Sequence, residues 1–124
     1  MGEVKHLKCT NCGREWDISV GAGRMHGKKE SVVTCFSPRL QSRVEQAIRN
    51  EAHPPFGFAM AIGSCRSCKE FVSVPTIRSG AERIADSCPN CSGEVEAAFD
   101  PAESLSCPAC GGKAEVSKTP LLWD

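Results

Sequence analysis

Eight of the nine cysteines in this 124-residue chain occur in four pairs, and two residues separate the members of each pair. A C-x-x-C turn places two sulfurs on one side of a metal ion, and Zn²⁺ takes four such thiolates in a tetrahedron. Cysteines that serve only as small apolar core residues would not repeat one spacing in this way. The sequence therefore predicts two structural Zn²⁺ ions with eight ligands: Cys9, Cys12, Cys65, Cys68, Cys88, Cys91, Cys107 and Cys110.

The spacing leaves open which pairs share an ion. Fifteen residues separate Cys91 from Cys107 and nineteen separate Cys68 from Cys88, and both intervals suit one four-cysteine site. In a nested arrangement the middle two pairs form one site and the outer two pairs form the other. An interleaved arrangement, in which the first pair combines with the third and the second with the fourth, is also possible. Because loop closure favours short loops, although weakly, we favour sequential sites: Cys9/Cys12 with Cys65/Cys68, and Cys88/Cys91 with Cys107/Cys110.

The turns and strands around the cysteines follow a common pattern. Gly13 and Gly111 directly follow their pairs, where a left-handed residue often closes the turn. Lys69 holds that position after the second pair, which predicts either a different turn or a penalty of about 1–2 kcal/mol. After the third pair, Ser92 precedes Gly93. A short run with strand-like alternation follows each pair, so the sequence predicts repeated hairpins.

One helix is predicted between the first and second pairs, after a Gly- and Lys-rich segment expected to be a loop. Ser37 is a suitable N-cap, and Pro38 fits the first helical position. An apolar stripe at helical spacing follows, and Pro54-Pro55 ends the pattern. We expect the helix over about 37–52.

The segments "CTNCGREW", "CPNCSG" and "CPACGG" resemble zinc-ribbon knuckles, and this resemblance covers all four pairs. The whole chain also resembles a group of small uncharacterised bacterial zinc-ribbon proteins, through Trp16, Gly21-Ala22-Gly23 and the terminal "LWD". The resemblance implies a binding module with no particular partner. The expected fold is a small zinc-stabilised α+β protein, with ribbon 1 and its inserted helix in 1–80 and ribbon 2 with a C-terminal tail in 81–124.

Charge and composition narrow the class of function. Formal net charge is zero, divided as +3 over residues 1–55 and −3 over 56–124. Each four-thiolate zinc site adds a net charge of −2, which argues against a protein that coats nucleic acid through a basic excess. No apolar run approaches a membrane span of ~20 residues. We expect a cytoplasmic protein, where thiols stay reduced and bind metal.

The expected function is a non-enzymatic module that engages another protein, with structural zinc. One alternative is a transcription-related nucleic-acid adaptor that contacts phosphates through Lys28, Lys29, Arg39 and Arg43. A second alternative is a zinc-handling or thiol-dependent enzyme. It would use the unpaired Cys35, with His26 or His53 as base, although the spacing gives no support for that role.

Overall fold

The computed structural model describes residues 2–23, 26–99 and 105–123. Within these residues the chain forms two antiparallel sheets of four strands and two helices. The described helices include none that is long and apolar enough to cross a bilayer.

The first sheet joins the beginning and the end of the described chain. Its strand order is β2-β1-β8-β7. Its members are β1 (Gly2–Cys9), β2 (Glu15–Val20), β7 (Leu105–Ser106) and β8 (Lys113–Trp123). β1 lies between β2 and β8 and pairs antiparallel with both.

The second sheet is built from the middle of the chain, in the order β5-β4-β3-β6. Its members are β3 (Phe58–Cys65), β4 (Glu70–Ser79), β5 (Glu82–Ala85) and β6 (Val95–Ala97). The strands that were expected after the four cysteine pairs are therefore present as β2, β4, β6 and β8. Each sheet contains strands from both sides of residue 80, so the sheets do not coincide with the predicted units 1–80 and 81–124. That unit boundary stays a prediction.

Two helices, α1 (Lys29–Thr34) and α2 (Pro38–Ile48), connect the sheets. α2 is the predicted helix, and it ends earlier than residue 52. α1 was not predicted, because it begins in the Lys-rich segment that was expected to be a loop. Ser37 holds the N-cap position, but its hydroxyl donates to Asp86 Oδ1 at 2.8 Å instead of capping the helix.

Two of the three apolar clusters in the described residues hold these elements together. The first packs α2 against the second sheet, through Leu40, Val44 and Ile48 on the predicted apolar stripe. The second cluster joins the two sheets, and its buried members are Leu7, Ile18, Ile62, Phe71 and Ala114. A β-bridge between Gly21 and Met60 also ties β2 to β3. This packing fixes the four cysteine turns at the ends of the strands.

Candidate metal centres

The outer centre brings together Cys9, Cys12, Cys107 and Cys110. Cys9 ends β1 and lies opposite Ala114 of β8, so strand pairing brings the first and fourth cysteine pairs together. The Sγ atoms of Cys9 and Cys110 are 3.4 Å apart, and those of Cys12 and Cys107 are 3.8 Å apart. This centre therefore joins the two ends of the chain across an intervening 94 residues.

The inner centre brings together Cys65, Cys68, Cys88 and Cys91. Cys65 ends β3 and lies opposite Val95 of β6, the strand that follows the third pair. The Sγ atoms of Cys65 and Cys91 are 3.5 Å apart, and those of Cys68 and Cys88 are 3.7 Å apart. Only nineteen residues separate the two pairs of this centre.

The sulfur geometry tests whether each set fits a metal ion. A tetrahedral ion with metal–sulfur bonds of about 2.3 Å separates its sulfurs by about 3.8 Å. The sulfur–sulfur distances of 3.4–3.8 Å match that spacing and are far longer than a disulfide bond of about 2.05 Å. In each set all four sulfurs lie within 4.8 Å of one another. Each centre could therefore hold one metal ion, and thiolate sets of this kind suit zinc or iron.

The favoured sequential pairing is wrong, and the nested alternative is the arrangement found. The reason lies in the sheets. β1 pairs with β8 at seven positions from Gly2 to Cys9, and β3 pairs with β6 at three positions. These contacts bring the outer two cysteine pairs together and the middle two together, which the spacing alone could not show.

All four cysteine turns close with a left-handed residue directly after the second cysteine. The φ angles are +77° at Gly13 and Gly111, +59° at Lys69 and +61° at Ser92. The turn at Lys69 therefore has the common conformation, and of the two outcomes predicted for it the energetic penalty is the one that applies. In the third pair the left-handed residue is Ser92, and Gly93 lies outside that region.

Backbone N–H groups stabilise the thiolate form within each turn. The N–H groups of Cys12 and Cys68 each lie 3.4 Å from the sulfur of the first cysteine in the same pair. The hydrogen bond from the Cys68 N–H is the main cause that lowers the pKa of Cys65 to about 7. The side chain of Asn11 makes the largest contribution to lowering the pKa of Cys110 to about 6. Because metals bind thiolate rather than thiol, the hydrogen bonds to Cys65 and Cys110 favour metal binding, whereas the Cys91 thiol raises the pKa of Cys68.

Direct contacts link the turns of the two centres. Arg14, two residues after Cys12, donates to the carbonyl oxygen of Lys69 at 3.4 Å and to Glu70 Oε1 at 3.3 Å. The other Glu70 oxygen accepts from the indole N–H of Trp16. The Trp16 ring meets Phe71 edge-on, with a centroid distance of 4.8 Å. The segment after the outer turn is thus held against the segment after the inner turn.

Three of the four basic residues considered for phosphate binding make contacts within the protein. Lys29 Nζ donates to the carbonyl oxygen of Arg49 at 2.9 Å, which holds α1 against the end of α2. Arg43 lies 3.2 Å from a carboxylate oxygen of Glu82, and Arg39 lies 3.8 Å from Asp86. Lys28 is exposed.

The unpaired Cys35 and the two candidate histidines belong to neither centre. Cys35 is half-buried, its S–H donates to the carbonyl oxygen of Ser31 at 3.2 Å, and burial raises its pKa. A thiol held in this way is a weak nucleophile. His26 is buried, whereas His53 is exposed on the loop after α2.

The C-terminal tail folds back onto the first sheet only in part. The Trp123 indole N–H donates to the carbonyl oxygens of Glu3 and Val20, at 3.0 and 3.1 Å. The indole lies over Gly2, where any side chain would collide with it. Leu121 and Leu122 remain 57% and 61% exposed. The sequence carries only a weak signal for the difference between buried and exposed tail residues. Neighbouring strand residues face opposite sides, so three apolar residues in a row cannot all face one side.

The fold and the two centres define a small β-rich protein with two candidate four-cysteine metal sites. Comparison with protein-family models, curated proteins and solved structures found no match to this chain.

Proposed function

We propose that this chain is a zinc-stabilised, non-enzymatic module that docks another protein along β8. Both centres are assigned structural Zn²⁺, in the manner of a zinc ribbon interrupted by a second ribbon. Four thiolates complete a closed shell, which is typical of structural rather than catalytic zinc, since catalytic zinc keeps an open position. Iron in a rubredoxin-like site is disfavoured because the sequence lacks an aromatic-rich shell.

The observation that carries the proposal is the exposed apolar surface of β8. Val116, Leu121 and Leu122, at 44%, 57% and 61% exposure, are the large apolar residues with high exposure in the described part of the chain. All three belong to one strand, with Leu121 and Leu122 on opposite sides of it because neighbouring strand residues alternate. Apolar residues grouped on one exposed element commonly mark an interaction surface.

The edge of β8 adds a second reason. β7 covers only Lys113 and Ala114, so from residue 115 onward no described strand pairs with that edge. An open strand edge can accept an extended segment of another protein, whose backbone supplies hydrogen bonds and whose side chains fill neighbouring apolar sites. Pro120 suits such an edge because it lacks an N–H group. The expected partner is therefore an extended, mainly apolar segment.

The two alternatives have less support. For nucleic-acid binding, Arg39 and Arg43 face carboxylates at 3.8 and 3.2 Å, and a phosphate would have to compete with them. For a thiol enzyme, Cys35 is a protonated thiol bound to a carbonyl oxygen. Neither arrangement prepares the residues for the chemistry that the alternative requires.

Affinity purification from the native host tests the proposal with two matched variants. Leu121→Ser with Leu122→Ser removes apolar surface from β8, and Arg39→Ser with Arg43→Ser removes two cations from α2. We expect a co-purified protein to be lost with the first variant and kept with the second. A photo-crosslinking residue at position 122 then has to label that same protein. Loss of bound nucleic acid with the arginine variant, and no effect of the leucine variant, would support the adaptor instead.

A further inference from the structure

We propose that a cavity beside His26 binds a small uncharged molecule, mainly apolar and carrying one hydrogen-bond acceptor such as a ketone oxygen. The cavity is a widely open cleft of about 400 Å³, and none of the eight paired cysteines lines it. Its walls are formed by Ser19, His26, Cys35, Met60, Pro75 and Trp123. Two features singled out in the sequence, the loop around Gly23 and the terminal Trp123, meet here.

His26 supplies the hydrogen-bond donor for this ligand. The residue is only 3% exposed, and its Nδ1 accepts from the Gly23 N–H at 2.9 Å. Nδ1 is therefore the unprotonated nitrogen, and the proton of the neutral ring is on Nε2. Burial lowers the pKa of His26, which keeps the ring neutral.

The Nε2–H group of His26 borders open space. It has no hydrogen-bond partner among the described residues. In that part of the chain every fully enclosed side-chain nitrogen has a partner, so a nitrogen without one, such as Nε2, is accessible. The Phe58 ring packs against the imidazole, with centroids 4.2 Å apart, and Trp123 meets it edge-on at 5.9 Å. The ring is thus held in place with its N–H available to a molecule in the cavity.

The chemistry of the walls selects an uncharged ligand. No lining residue is charged when His26 is neutral, and a buried charge without a partner is strongly disfavoured. The N–H of Trp123 and the S–H of Cys35 already donate to carbonyl oxygens. His26 Nε2–H is then the buried donor left for a ligand, beside the half-buried hydroxyl of Ser19.

A metal ion fits this cavity poorly, although histidine, cysteine and methionine all line it. A metal-binding histidine usually donates its second ring N–H to an acceptor. Here the second nitrogen accepts from Gly23, so binding through Nε2 would break that hydrogen bond. Cys35 would also have to lose its proton and its contact with Ser31.

The test compares two probes of similar size on the metal-loaded full chain, by NMR titration of backbone amides. Acetophenone carries a ketone oxygen, and ethylbenzene does not. We expect acetophenone to bind about 3–10-fold more tightly, the range for one neutral hydrogen bond. The largest shifts are expected at Gly23, His26 and Met60.

Three variants separate the donor from the cavity. His26→Phe keeps an aromatic ring and is expected to abolish the preference for the ketone, whereas His26→Gln keeps a donor and retains it. Ser19→Leu fills the cavity and is expected to remove binding of both probes, so this variant tests the place even if His26→Phe fails to fold. Equal affinity of the two probes in the wild type, shifts confined to other regions, or a ketone preference that survives His26→Phe would overturn the proposal.

Discussion

Removing cysteines two at a time tests the nested arrangement directly. Cys12 and Cys107 belong to one centre, with sulfurs 3.8 Å apart, whereas Cys68 belongs to the other. The variant Cys12→Ser with Cys107→Ser damages only the outer centre, and we expect it to retain one metal ion per chain. The variant Cys12→Ser with Cys68→Ser damages both centres, and we expect it to retain none.

The magnitude follows from the energetics of four-thiolate sites. A structural zinc site contributes about 10–16 kcal/mol of apparent binding free energy at neutral pH. An equal share for each sulfur is about 2.5–4 kcal/mol, so one lost thiolate weakens binding by about 10²–10³-fold. The inner centre is expected to survive loss of the outer one, because its sheet contains neither β1 nor β8. Its 19-residue loop is also short.

Native mass spectrometry after treatment with a chelator gives the number of ions per chain. Wild type, with two ions expected, is the positive control. The reasoning is refuted if the Cys12/Cys107 variant is empty while the Cys12/Cys68 variant keeps one ion, because that result belongs to sequential pairing. A third variant, Cys12→Ser with Cys88→Ser, keeps one ion only if the pairs are interleaved.

Three further predictions concern stability. Lys69→Gly relieves a left-handed residue at φ +59°, and after the entropic loss of glycine we expect a gain of about 0.5–1 kcal/mol in chemical denaturation. Ile48→Ala removes a side chain that is 1% exposed; we expect a loss of about 2–5 kcal/mol with both metals still bound, and a loss below 1 kcal/mol would contradict the assigned packing. Hydrogen bonds from Asp17, then Glu15, raise the pKa of His6. Its stabilising contribution is thus full below about pH 6.5 and lost as pH rises through the raised pKa. The difference in unfolding free energy between wild type and His6→Gln, followed from pH 5 to 9, is expected to decrease as pH rises. A difference that grows with pH would contradict the assigned role of His6.

The sequence predicted the local features of the fold well, because each depends on neighbouring residues. The two-residue spacing marks the turns, glycine marks the left-handed position in two of them, and alternation marks the strands that follow. The apolar stripe ending at Ile48 marks α2, which buries Leu40, Val44 and Ile48. α1 was missed because a six-residue helix that buries only Val32 has too short a periodic pattern.

The contacts of individual side chains were less predictable. Arg39 and Arg43 could be placed on one helix face from the sequence, but their carboxylate neighbours Asp86 and Glu82 lie 47 and 39 residues further along the chain. Trp123 could be expected to pack somewhere, but not over Gly2 at the other end of the described chain. Such contacts depend on which strands become neighbours.

By itself the sequence determined that this protein has four cysteine turns and eight sulfurs, enough for two tetrahedral sites, because ligand type and turn geometry are local properties. Only the tertiary structure decided how the turns combine. By loop-closure entropy, nested sites with loops of 94 and 19 residues are less favourable than sequential sites with loops of 52 and 15 by about 0.7 kcal/mol. Pairing of β1 with β8 outweighs so small a difference, because it buries Leu7 and Ala114 in the cluster between the sheets.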